Sequence, residues 1–84
     1  MDPNLAHLIP AVEEQLSSDA TPYVKEAYDR ILAQVEDLKA DEAKAMIAFC
    51  LADEIEALTK ENRDFSEERY RLLLDLLPAM PEGR

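Results

Sequence analysis

The 84-residue chain is 48% hydrophobic and carries 19 acidic against nine basic side chains, a formal net charge of -10. This charge repels the phosphates of nucleic acids and anionic membrane surfaces, so neither is an expected partner. A chain of this length closes one hydrophobic core, and its single Gly, two Phe and absent Trp favour packed helices over strands. We therefore expect one all-α domain over residues 1–84, a small four-helix bundle.

The first predicted helix covers about residues 2–18. Asp2 is suited to cap its N-terminus, and Pro3 stands at the first helical position, where the missing backbone donor costs nothing. Pro10 lies inside the apolar pattern of this helix. Because proline removes a backbone hydrogen bond and crowds the preceding turn, we expect a kink or a short break near Pro10.

The second predicted helix covers about residues 22–38 and follows a polar connector that ends in Thr21-Pro22. Threonine followed by proline repeats the cap-then-proline start of the first helix. The apolar face of this helix consists of side chains at helical spacing: Val24, Ala27, Tyr28, Ile31, Val35 and Leu38.

A third helix is predicted over about residues 41–61, although no Gly or Pro separates it from the second. The apolar face that begins at Ala43 is turned by about 140° from the preceding face, which argues against one continuous rod. We expect a break near Lys39 and Ala40, with Asp41 as the capping residue.

The fourth predicted helix covers about residues 66–77, with Ser66 as its N-cap and two glutamates in its first turn. Phe65 is expected to pack on Tyr70 as a hydrophobic staple. Prolines at positions 78 and 81 then prevent continuation of the helix, and we expect the last few residues to be frayed.

Glu54 projects from the apolar face of the third helix, close to Cys50 and Ile47. A lone buried carboxylate is costly unless it is protonated, hydrogen-bonded, paired with a cation or bound to a metal. The more common explanation is a structural partner, such as an arginine or a tyrosine hydroxyl from another helix, or an exposed edge of the stripe. The alternative is a divalent-metal site that Glu54 forms with Glu13 or Glu42.

Other residue types give no sign of catalysis. The only histidine, His7, falls opposite the apolar face of its helix, and Cys50 lacks a local base that would lower its thiol pKa. A chain whose only glycine is Gly83 has no phosphate-binding loop. We therefore expect no catalytic residue, no cofactor and no enzymatic activity. The buried reduced thiol and the absence of a basic leader favour a cytoplasmic location.

The fourth helix is unusually broad in its apolar surface. Its apolar side chains spread over roughly 200°, about twice the arc that packing on one core requires. Unless helices 3 and 4 are simply central, the excess predicts a self-complementary homodimer or a groove that binds a partner. The expected interface residues are Tyr70, Leu72, Leu73, Leu76 and Leu77.

Short segments resemble a family of small, uncharacterised bacterial helical proteins whose motif reads roughly H-E-A-x-H-x-I. One matching segment is Asp41-Glu42-Ala43-Lys44-Ala45-Met46-Ile47, followed by Leu51-Ala52-Asp53-Glu54-Ile55. The others are residues 12–16, which match V-E-x-Q-L, and residues 65–77, which resemble the closing F-x-x-x-x-Y-x-x-L-L pattern. The resemblance implies a helical fold and carries no activity. Glu13, Glu42 and Glu54 match the acidic positions of that family, whereas Asp41 and Ala45 replace its two histidines.

These observations predict a small, acidic, cytoplasmic bacterial protein that serves as a non-catalytic protein-interaction or assembly module. Two alternatives stay open. One is the carboxylate metal site around Glu54. The other is an acidic inhibitor or antitoxin-like protein whose charge imitates phosphates and attracts a basic protein.

Overall fold

Four α-helices follow one another in residues 6–79, the part of the chain that the computed structural model describes. They are α1 (Ile9–Ser17), α2 (Pro22–Gln34), α3 (Ala40–Glu61) and α4 (Glu67–Leu76). Helix α1 packs on α2 and α3, α2 packs on α3 and α4, and α3 packs on α4. No strand occurs among these residues. The predicted all-α four-helix bundle is confirmed.

The hydrophobic core lies where the four helices meet, and α3 contributes the largest share of it. Burying one large aliphatic side chain is worth about 1.5–3 kcal/mol, so this cluster is the main source of stability. The core residues are Val12, Val24, Ala27, Ile31, Ala43, Ile47, Ala48, Cys50, Leu51, Tyr70, Leu73, Leu74 and Leu77.

Helix α1 begins just before Pro10. Leu8 is its N-cap, and the proline stands in the first turn, where its missing N–H has no helical partner to lose. The chain turns at His7 and Leu8, so the predicted short break is found immediately before the proline. His7 is exposed, as expected. The predicted helix start at residue 2 and the predicted frayed tail lie outside the described residues.

Helix α2 ends at Gln34, four residues earlier than predicted. The C-cap Val35 is extended, with φ -108° and ψ 111°, and Asp37 has a left-handed backbone with φ 68°. Aspartate enters that region more readily than most residues, which explains a sharp change of direction without glycine or proline.

The predicted break near Lys39 and Ala40 is confirmed, because α3 begins at Ala40 with Lys39 as its N-cap. Asp41 is not the cap, and that prediction is wrong. The backbone N–H of Lys39 is instead satisfied by Glu42, whose Oε1 accepts its hydrogen bond at 2.9 Å. Glu42 thus supplies the acidic half of a capping box, while Asp41 lies in the first turn and opposes the helix dipole.

Both predictions for the start of α4 are confirmed. The Oγ of Ser66 accepts a hydrogen bond from the backbone N–H of Arg69 at 3.1 Å, and the Phe65 ring lies 5.6 Å from the Tyr70 ring in an edge-to-face arrangement. The other end of α4 has a partner that the sequence did not indicate. Arg30 of α2 donates to the backbone oxygens of the helix end, at 2.8 Å to Leu74 and at 2.6 Å to residue 77.

A membrane crossing needs a long helix of apolar composition, and none of the helices within residues 6–79 meets both conditions.

Candidate functional site

Glu54 is completely buried, and its carboxylate is the centre of the most extensive polar network in the described residues. Arg63 donates twice, from Nη1 to Oε2 at 2.8 Å and from Nη2 to Oε1 at 3.2 Å. Arg69 donates from Nη1 to Oε1 at 2.9 Å, and the backbone N–H of Ser66 donates to Oε2 at 2.7 Å. Four donors therefore surround one carboxylate.

The end of α3 brings these donors back to Glu54. Asn62 has a left-handed backbone, with φ 54°, which asparagine tolerates well, and it ends the helix. The N–H groups of Asn62 and Arg63 both donate to the carbonyl of Leu58. This turn folds the connector back along α3, so that Arg63 lies beside a residue nine positions earlier.

The pKa of Glu54 is lowered from its ordinary value of 4.5 to about 2. The hydrogen bond from Arg63 is the main cause, and the Ser66 amide and Arg69 add to it against the opposing effect of burial. The same contacts raise the pKa of both arginines. Glu54 is therefore ionised at every physiological pH and has no proton to donate.

The two arginines have further partners. Arg63 donates from Nε to the carboxylate of Glu61. It also donates from Nη1 to the backbone oxygen of Asp64 at 2.9 Å. Arg69 reaches Oδ1 of Asp53 at 3.5 Å. The network thus joins α3, the connector and α4. The buried Glu54 carboxylate is thus explained by its structural cationic partners, as the sequence suggested, and not by a bound metal.

The three carboxylates of the alternative metal site are not brought together. Glu13 pairs with Lys44 at 3.1 Å, and Glu42 caps α3. Glu42 and Glu54 lie 12 residues apart on one helix, a separation of about 18 Å along its axis. A carboxylate has about four acceptor positions, and protein donors already fill those of Glu54. Within residues 6–79, no group of three or more metal-ligating side chains is arranged to hold an ion.

Cys50 and Tyr70 are buried and engaged in hydrogen bonds. The Cys50 thiol donates to the backbone oxygen of Leu73 at 3.6 Å, and burial raises its pKa to about 12. The hydroxyl of Tyr70 donates to Oε1 of Gln15 at 2.8 Å, and burial raises its pKa as well. A thiol in this state is a poor nucleophile at neutral pH.

The predicted interface residues divide into two groups. Tyr70, Leu73 and Leu77 are buried in the core of the chain itself, so they cannot present a free surface in this fold. Leu72 and Leu76 are 60% and 57% exposed, the most exposed large hydrophobic side chains in the described residues. Most of the broad apolar surface of α4 therefore packs against the core of the same chain, and only the side that carries Leu72 and Leu76 faces outward.

A cavity of about 210 Å³ lies between α2 and α4. Its lining includes Tyr23, Glu26, Arg30, Arg71 and Asp75. The guanidinium of Arg71 lies 5.0 Å from the centre of the Tyr23 ring, a cation–π contact. Since the charged lining residues are of both signs, the cavity has no evident preference for an anion or a cation.

Three arginines of the structure were not identified from the sequence: Arg30, Arg63 and Arg69. An arginine was foreseen as a type of partner for Glu54, but nothing local indicated which one. The only available signals were the position of Arg63 just after the predicted helix end and that of Arg69 in the first turn after Ser66.

Comparisons of the chain with protein-family models, with curated proteins and with solved structures find no match. The resemblance to the bacterial helical family therefore stays a prediction.

Proposed function

We propose that this protein is a non-catalytic interaction module that binds another protein chain through the outer face of α4. We define the α4 outer face by its exposed residues Arg71, Leu72, Asp75 and Leu76. The observation that carries the proposal is the pair of leucines at i and i+4, which are 60% and 57% exposed on one side of a short helix. Adjacent exposed hydrophobic side chains are typical of binding surfaces.

The state of the reactive side chains supports a role without catalysis. Glu54 is ionised and has its acceptor positions filled, and Cys50 is buried with a raised pKa. General acid–base catalysis and nucleophilic catalysis both require a group that can reach a substrate. Neither of the two side chains that the sequence made conspicuous can do so.

Sedimentation velocity of the purified protein tests the proposal. The key variant is Leu72→Asp with Leu76→Asp, and Ile55→Asp is the matched control, because Ile55 is 38% exposed and lies on α3. We expect the double variant to lose the complexes that the wild type forms and the control to keep them. Circular dichroism verifies that each variant is folded.

A folded double variant that keeps every complex of the wild type would contradict the proposed surface. If a basic protein stayed bound to the double variant and dissociated in salt, the acidic exterior would be the binding surface. That result would also contradict binding through the α4 outer face.

A further inference from the structure

We infer that the partner of the α4 outer face is a second copy of this chain, bound antiparallel about a two-fold axis, with Arg71 of each protomer paired with Asp75 of the partner subunit. This inference rests on the proposed function of the α4 outer face and specifies its partner.

The exposed leucines are compatible with such a two-fold arrangement. When Arg71 lies level with Asp75 of the partner subunit, Leu72 lies between the levels of the partner's Leu72 and the partner's Leu76. At a rise of 1.5 Å per residue, the four leucines then alternate along the axis at intervals of about 3 Å. Side chains at such intervals interdigitate, as ridges of one helix fill grooves of the other.

The charges on the α4 outer face favour the antiparallel direction. Arg71 and Asp75 stand one turn apart on the same edge of the leucine pair. In an antiparallel two-fold pair the same edges of both helices meet, so each arginine faces an aspartate and two opposite-charge pairs form. A parallel pair would instead place like charges at the same level, Arg71 with the partner's Arg71 and Asp75 with the partner's Asp75.

Both charges are available for a partner. Among residues 6–79, neither Arg71 nor Asp75 takes part in an ion pair, although they are spaced at i and i+4. Arg71 lies over the ring of Tyr23 instead, and Asp75 is exposed at the rim of the same cavity. Arg69 differs, because it is already bound to Glu54 and Asp53.

Mixing two charge variants tests the inference. Arg71→Asp places like negative charges in contact across the two-fold axis, and Asp75→Arg places like positive charges there. We expect each single variant to dimerise about tenfold more weakly than the wild type, since two exposed pairs are changed in every dimer. Mixed in equal amounts, the two variants restore opposite-charge pairs, and we expect a heterodimer that is at least as stable as the wild-type dimer.

Native mass spectrometry separates the heterodimer from both homodimers by mass. The matched control combines Lys25→Asp and Asp29→Lys on α2, an exposed pair at i and i+4 away from the α4 outer face. This control is expected to dimerise as the wild type does. The mixing step is decisive, because a pair formed within one chain is restored only when both changes are in the same chain.

The inference would be overturned if the wild type stayed monomeric at protein concentrations up to about 1 mM, because even a weak specific dimer has a dissociation constant below that concentration. A wild-type dimer whose single charge variants associate normally, or whose mixed variants form no heterodimer, would also overturn it. If the two leucine substitutions abolish binding of a different protein while the wild type is monomeric, the proposed function stands and only the homodimer fails. If the leucine substitutions leave all complexes intact, the proposed function itself fails.

Discussion

Arg63 binds Glu54 through two parallel hydrogen bonds, with Nη1 2.8 Å from Oε2 and Nη2 3.2 Å from Oε1. This two-pronged geometry matches the planar fork of a guanidinium to the two oxygens of a carboxylate. Glu54 is fully buried, whereas the side chain of Arg63 is 28% exposed. The Arg63 guanidinium therefore stays partly hydrated, whereas the Glu54 carboxylate is stabilised by protein donors alone.

Glu54→Gln should destabilise the protein by about 3 kcal/mol, near the low end for breaking a buried ion pair, because the two arginines retain some solvent. The amide nitrogen of glutamine is itself a donor, so it cannot accept the bonds that one carboxylate oxygen accepts. Urea unfolding followed by circular dichroism measures the change. Glu56→Gln is the control, since Glu56 is exposed and pairs with Lys60 at 4.0 Å, and it should change stability by less than about 0.5 kcal/mol.

The stability that Glu54 contributes should depend on pH below about 4.5. Its pKa is about 2 in the folded state and 4.5 ordinarily, so the unfolded chain binds the proton more readily in that interval. The contribution is therefore fully present above about pH 4.5 and is lost as the pH falls toward 2. The measurement is the difference in unfolding free energy between the wild type and Glu54→Gln from pH 2 to pH 6. A difference that stays constant over this range would contradict the ionised carboxylate.

Arg30→Ala should destabilise the end of α4. The arginine donates to the carbonyl oxygens of Leu74 and Leu77 at the C-terminal end of α4, where the helix runs out of N–H donors four residues further on. The Leu74 oxygen also accepts a hydrogen bond from the Leu77 N–H at 3.1 Å. We expect a loss of about 1–2 kcal/mol, together with faster hydrogen exchange at the last amides of α4. Lys25→Ala on the same helix is the control and should be nearly neutral. Unchanged exchange at these amides would show that Arg30 is dispensable there.

Cys50 should react with thiol reagents only when the core opens. Burial raises its pKa to about 12, so almost no thiolate is present at pH 8, and its side chain is inaccessible. We expect labelling of the folded protein to be at least about 100-fold slower than labelling in urea. Following the reaction by mass spectrometry gives the rate. A rapid phase with full amplitude under native conditions would mean that Cys50 is not buried in solution.

Patterns within a single helix were sufficient to predict most of the fold. The hydrophobic phase located the break before α3, and Ser66 with Phe65 located the start of α4, because both signals act over one or two turns. The end of α2 was misjudged since the apolar spacing continues through Val35 to Leu38 after the helix has stopped. Periodicity does not register a residue such as Asp37 that turns the backbone to positive φ.

From the sequence, Glu54 could be predicted as the centre of the candidate site, but the residues that bind it could not. A carboxylate on an apolar face is conspicuous in the sequence, so Glu54 could be singled out and a cationic partner foreseen. The partners depend on the path of the connector after Asn62, which packing decides. The predicted interface residues illustrate the same limit, because the breadth of an apolar arc does not distinguish a central helix from an exposed one. Leu73 and Leu72 differ by one position, and only the first is buried.

The donors that surround Glu54 come from 9, 12 and 15 residues further along the chain. Bringing together ends so close in sequence costs little chain entropy, and the cost rises only slowly with loop length. Because the contact of Gln15 with Tyr70 spans 55 residues and closes at a higher cost, we expect the α3–α4 hairpin to assemble around Glu54 before α1 docks. Such an order makes Glu54 a nucleation point, and substitutions around it should slow folding more than they speed unfolding.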